Sequence, residues 1–184
     1  MRKKLFSAIV ICLFVAVHSS AQTQSFTQND NVVNFGIGFG GNLYSGSLYS
    51  GSGYSHLPTF TLSYERCIIG NLFNDQSSLG VGGLVGYTSS KIKDAWTSTD
   101  IMIGVRGALH YAFVDKLDTY AGIMAGYNIN KWKWHGTSYG SNGSSSFTYT
   151  AFVGARYYLT DSFAAFAELG YGYSLANVGV SFKF

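Results

Sequence analysis

Two stretches of the chain carry residue types that could do chemistry. GTSYG, residues 136–140, has the G-x-S-x-G spacing of a serine nucleophile, with His135 directly before it. GIGFGG, residues 36–41, has the G-x-G-x-x-G spacing of a dinucleotide-binding turn. Each needs a setting: a nucleophile elbow requires a sharp strand-to-helix turn, and a pyrophosphate turn requires a strand before it and a helix after it. GTSYG lies in a Ser/Gly-rich loop pattern, and GIGFGG lies inside a strand pattern that no helical periodicity follows. Metal chemistry fares no better, because the four histidines include one in the leading apolar segment and none stands at ligand spacing from another. No catalytic residue, metal or cofactor is expected. The other chemically capable side chains are isolated charges: Glu65, Asp100, Arg106, His110, Arg156, Glu168 and Lys183.

What positions those charges follows from the front end and the composition. Residues 1–21 carry Arg2, Lys3 and Lys4, then an apolar run from Leu5 to Val17, then Ser19-Ser20-Ala21. That is the pattern of a secretory signal peptide, with cleavage expected before Gln22 and export by the general secretory route. Three of the 12 Lys and Arg lie in it, so the remaining nine face nine Asp and Glu. A neutral mature chain gives no reason to expect a nucleic-acid partner. Cys67 is then the only cysteine, which excludes an internal disulfide. Charged residues make up 11% of the chain, whereas a water-facing surface alone runs at about 25–35%. Something other than water must cover much of this protein. No segment of the mature chain holds the ~18 consecutive apolar residues of a helical span, which leaves a closed β-barrel as the membrane option.

Period-two alternation supports that option in eight segments. Val33, Phe35, Ile37 and Phe39 oppose Asn34, Gly36, Gly38 and Gly40; Phe60, Leu62 and Tyr64 oppose Thr61, Ser63 and Glu65. Ile101, Ile103, Val105, Leu109, Tyr111 and Phe113 oppose Asp100, Arg106 and His110, so charge keeps to one face. Further runs start near Leu79, Ala121, Tyr149 and Ala165, and the last is VGVSFKF, residues 178–184. The connections alternate between long (GSLYSGSGYSH, SSKIKDAWTS, KWKWHGTSYGSNGSSS) and short (VDKLD, TDS), the mark of a bacterial barrel with short periplasmic turns and longer outer loops. NLFNDQ is long for a turn and SLAN is short for an outer loop. The non-apolar face is rich in Gly, Ser, Thr and Asn rather than Lys and Glu, which suits the cramped inside of eight strands better than an aqueous exterior. Tyrosines and phenylalanines close the apolar face at both ends, as two interface belts would.

The signal peptide, the run FAAFAELGYGYSLANVGVSFKF and the terminal Phe184 together resemble the OmpX/OmpA-type eight-stranded outer-membrane barrels, grouped with the porin-family and β-barrel-domain proteins. The resemblance implies an all-β, transmembrane, antiparallel up-and-down barrel in the outer membrane of a Gram-negative bacterium. It also implies an assembly signal at Phe182 and Phe184, read by the outer-membrane assembly machinery with help from periplasmic chaperones. Some small outer-membrane barrels are lipid-modifying hydrolases that use a lipid-facing His and Ser; here His56 and His135 fall in outer loops and His110 on the inward face.

The expected organisation is a removed signal peptide (1–21), a periplasmic lead (22–31) and a barrel (32–184), monomeric. The expected role is structural or surface contact, not catalysis, with a narrow porin-like channel as the alternative and a lipid-modifying enzyme as the third reading. Glu65, Asp100, Arg106, His110, Arg156 and Glu168 are expected to pair inside the lumen as a polar network, with Arg156 and Glu168 facing each other across the turn near Asp161 and Ser162, and Phe152, Tyr158, Phe166 and Met124 filling the bore. Lys131, Trp132, Lys133 and Trp134 are the expected contact with lipid and lipopolysaccharide, by lysine attraction to phosphates beside belt aromatics.

Overall fold

The computed structural model describes residues 25–40, 54–92, 96–134 and 141–184. They form nine strands: β1 (Asn31–Phe39), β2 (Tyr54–His56), β3 (Thr59–Gly70), β4 (Ser77–Ile92), β5 (Trp96–Val114), β6 (Leu117–Trp134), β7 (Ser141–Tyr158), β8 (Phe163–Tyr171) and β9 (Ala176–Lys183). All but β2 join a closed antiparallel eight-stranded barrel in the order β1-β3-β4-β5-β6-β7-β8-β9, with β9 returning to β1. β2 is a three-residue addition to the loop-side end of β4, pairing Tyr54 with Ile92 and His56 with Ser90. No helix occurs among the described residues.

The alternation read from the sequence sorts inside from outside. On β3 the burial alternates residue by residue from Thr59 to Ile68, with Thr61, Ser63, Glu65 and Cys67 turned in and Phe60, Leu62, Tyr64 and Ile68 turned out. The outer surface is a band of exposed apolar side chains, among them Phe35, Val105, Ile123, Tyr149 and Leu169. Water would not tolerate such a band on a lone soluble chain; hydrocarbon would.

Every barrel strand differs from its sequence segment mainly in length. β1, β8 and β9 are eight or nine residues long, whereas β5, β6 and β7 have 19, 18 and 18. The SSKIKDAWTS and KWKWHGTSYGSNGSSS connections, expected as loops, are largely strand: Lys91 pairs with Thr97, Ser98 with Trp132, and Lys133 with Ser141. Beyond the apolar band both faces of a ribbon meet water. The in-out alternation then vanishes from the sequence while backbone pairing continues. The tips of both ribbons, with GTSYG and His135, lie outside the described residues, as does the rest of the first outer loop.

Both ends of the barrel are occupied by short segments of the chain. At the turn side, Ser25–Asp30 folds into the mouth: Asn29 N donates to Cys67 O (3.1 Å) and Cys67 N to Asp30 O (2.9 Å), and Phe26 is 1% exposed. At the loop side the SLAN connection is short because it turns inward, burying Tyr173 and Ser174. Gly172, at φ 128°, makes that reversal in a region side chains avoid.

Candidate functional site: a filled bore

The inward charges come together as two groups stacked along the bore. Arg156 of β7 donates from Nη2 to Glu65 Oε2 of β3 (2.6 Å) and from Nη1 to Asp118 Oδ2 of β6 (2.8 Å). His110 of β5 closes the circuit, with Nε2 at 2.9 Å from Glu65 Oε1 and Nδ1 at 2.9 Å from Asp118 Oδ1. Four side chains from four strands therefore form a ring in which each cationic group bridges both carboxylates. Both imidazole nitrogens can donate only when the ring carries its second proton, and two positive groups then balance two negative ones. Arg156 also donates from Nε to Asn34 Oδ1 (3.3 Å), which accepts from Ser181 Oγ as well (2.6 Å).

One layer toward the loop side, Arg106 Nη2 donates to Glu168 Oε1 (2.7 Å), which also accepts the Tyr120 hydroxyl (3.0 Å). Aromatic faces join the two groups: the Arg106 guanidinium lies 4.1 Å from the Phe152 ring centroid and that of Arg156 lies 4.7 Å from Tyr120. Such desolvated cation–π contacts are worth about 2 kcal/mol. Glycines make the room. A Cβ on Gly154 would stand 2.6 Å from the Tyr120 ring, and one on Gly80 2.6 Å from Glu65 Oε1.

The bore is stoppered above and below these charges. Phe26 packs at a tilt against His110 (centroids 4.4 Å), and Ser78 Oγ donates to the Phe26 carbonyl (3.0 Å). Lys183 Nζ holds the same segment through Ser25 O (3.1 Å) and Asp30 (3.7 Å). Toward the loop side Leu84, Met102, Met124, Phe152 and Tyr173 form an apolar cluster across the lumen. Phe166 and Tyr158 are buried too, so the four bore-filling residues expected from sequence are all inside.

The expected facing pair is corrected. Arg156 stands opposite Phe166 and Glu168 opposite Gly154, because the β7–β8 register centres on Asp161, whereas a facing Arg156–Glu168 pair requires it to centre on Ser162. That difference moves Glu168 two residues along the inward face, where Arg106 takes it. Two further members escaped the sequence reading. Asp118 was assigned to the VDKLD connection, yet only Asp115 and Lys116 make the turn, with Lys116 at φ 63°. Tracing the β6 alternation back through Gly122 and Tyr120 reaches Asp118. Phe26 had no such signal.

The remaining candidates fall elsewhere. Asp100 is inward but belongs to neither group, accepting only from Asn130, Asn128 and Ser98 among the described residues. Lys131 and Lys133 project outward from β6, while Trp132 turns the other way and packs on Trp96 (centroids 4.8 Å). The backbone of Trp134 pairs with Trp96, and its side chain lies outside the described residues. Phe182 and Phe184 stand exposed on the turn-side rim, rings 6.2 Å apart. Gly36–Phe39 of the GIGFGG stretch lie within β1, far from any helix start. No group of three His, Cys, Asp or Glu able to hold a metal occurs among the described residues.

No protein-family model matches the chain, and no curated protein matches its sequence. Solved structures do match. The N-terminal β-barrel domain of Pseudomonas aeruginosa OprF aligns over 86% of this chain and 99% of its own, at 15% identity and a TM-score of 0.52. Ail, the attachment invasion locus protein of Yersinia pestis, aligns over 85% and 99% at 11% identity and TM-score 0.52. The outer membrane protein OprG of P. aeruginosa aligns over 89% and 99% at 8% identity and TM-score 0.50. At these identities the likeness speaks to architecture, and the architecture is plain: the chain has the fold of the eight-stranded OmpA/OmpX-type outer-membrane barrels.

Proposed function

We propose that this chain is a small, monomeric, integral outer-membrane barrel of a Gram-negative bacterium that acts through its outward-facing end and does not conduct through its bore. The observation that carries this reading is the closed ring of Arg156, Glu65, His110 and Asp118, stoppered by Phe26 and Tyr173. A carrier or pore needs loosely held inward groups that a solute can engage and leave; here each charge of the ring is committed to another. The role proposed is non-catalytic. Residues 1–21 are removed on export through the secretory route, and the periplasmic lead ends at Asp30, because Asn31 already belongs to β1. Phe182 and Phe184 present the last strand to the assembly machinery after periplasmic chaperones have carried the chain. Lys131 and Lys133 meet phosphates of lipopolysaccharide or other polyanions; Ail, one of the similar structures, has been solved with the heparin analogue sucrose octasulfate.

Planar-bilayer recording on refolded protein tests the filled bore. The expected outcome is no steady conductance from wild type. Reproducible single-channel openings that Arg156→Ala abolishes or resizes would replace this reading with the narrow channel.

A further inference from the structure

We propose that the loop-side mouth of the bore is a receptor cup for an organic cation, an ammonium or guanidinium group, built on Asp100. The turn-side half of the bore is charge-matched; the loop-side half is not. Asp100 is 7% exposed, and its carboxylate receives only neutral donors: Asn130 Nδ2 at 2.7 Å, Asn128 Nδ2 at 3.3 Å and Ser98 Oγ at 3.3 Å. The nearest inward cation on its own strand, Arg106, is six residues away, roughly 20 Å along an extended chain, and is taken by Glu168. Lys91, Lys131 and Lys133 on the flanking strands stand exposed on the outer face.

Hydrogen-bond accounting points the same way. The two asparagines turn their nitrogens to Asp100, so their oxygens face away from its carboxylate. Both oxygens, Asn128 Oδ1 and Asn130 Oδ1, are buried with no donor. Among the described residues, then, Asp100 has no cationic partner and the two amide oxygens beside it have no donor, and buried acceptors are rarely left so. A group with several N–H donors and a positive charge supplies what is missing. A compact metal ion fits less well, because the two amide oxygens point away from the carboxylate that would have to share its coordination shell.

The wall above the cup fits a cation as well. Trp96 and Trp132, on the inward register of β5 and β6, pack with ring centroids 4.8 Å apart directly on the loop side of Ser98 and Asp100. Indole faces attract ammonium and guanidinium groups within about 6 Å. Met102, fully buried, closes the floor.

Trp96 and Trp132, two of the chain's three tryptophans, lie at this rim, so intrinsic emission reads the cup without a label. Refolded protein in micelles is titrated at constant ionic strength with pentane-1,5-diamine, N-acetyl-arginine amide, neutral N-acetyl-glutamine amide and calcium chloride. The two organic cations are expected to give a saturable change and the neutral amide and calcium none. Asp100→Asn should weaken binding about tenfold, since a charge-assisted hydrogen bond becomes a neutral one. Asn130→Asp should tighten it, and this gain decides the matter if Asp100→Asn does not reach the folded, heat-modifiable form. Absence of saturation in wild type, or equal affinities in wild type and Asp100→Asn, would overturn the cup. Saturation by calcium with the same dependence on Asp100 would overturn the organic cation in favour of a metal.

Discussion

Arg156 has no exposed surface, yet it carries a full charge among apolar and aromatic groups. Taking such a group out of water costs several kcal/mol, and only two carboxylates held at 2.6 and 2.8 Å repay it. Removing one member of a buried set is harsher than removing the set, because the survivors keep their desolvation cost. Arg156→Ala is therefore expected to destabilise the folded barrel by about 3–5 kcal/mol, leaving Glu65 and Asp118 bridged by His110 alone. Glu168→Gln should cost less, about 2 kcal/mol, since the amide still accepts from Arg106 and Tyr120 and Phe152 still covers the guanidinium. Urea midpoints of the two variants in micelles check the order; a larger loss from Glu168→Gln would show that the upper pair and not the ring dominates.

The ribbons formed by β4–β5 and β6–β7 show how an element can outrun its sequence signal. Within the apolar band, period-two alternation identified all eight barrel strands and the face of every inward charge it considered. It stopped where lipid contact stops, so Lys131 and Lys133 read as loop although they sit in register with Thr99 and Thr97. For the same reason Asp118, one residue inside the start of β6, reads as turn in the sequence. The Ser25–Asp30 segment was illegible for a different reason. A single phenylalanine in a polar lead has no period, and its burial is decided by the space next to His110 and not by its neighbours in sequence. The ribbon geometry makes its own prediction. Both lysines project outward from a paired strand, above Tyr127 and Ile129, so they are presented and not tethered by a loop. Replacing Lys131 and Lys133 by Gln should weaken association with lipopolysaccharide vesicles more at low than at high salt, since exposed charges are screened within about 10 Å at 0.1 M. Equal losses at both ionic strengths would leave the lysines only a packing role beside the aromatics.

The molecule as a whole is shut by one ladder. Asn31 and Phe184 exchange backbone hydrogen bonds of 3.0 and 2.9 Å, and Val32 through Phe39 pair with Lys183 through Ala176. Deleting Phe184 removes one pair of those bonds and an aromatic from the turn-side rim. The expected outcome is less heat-modifiable, assembled protein in the outer membrane and more degraded or periplasmic material; unchanged assembly would deny this residue its role. The seam has a kinetic side too. It joins residues 153 positions apart, whereas every other ladder of the barrel joins strands that follow one another in the chain, with only the three-residue β2 intervening between β1 and β3. Chain entropy makes that contact the slowest to find, and until it forms β1 and β9 are both open edges able to recruit any passing strand. The interval between synthesis of the first strand and zipping of the last is thus the hazardous one. The yield of this protein should be governed by how long it waits unzipped, and far less by how firmly it holds once closed.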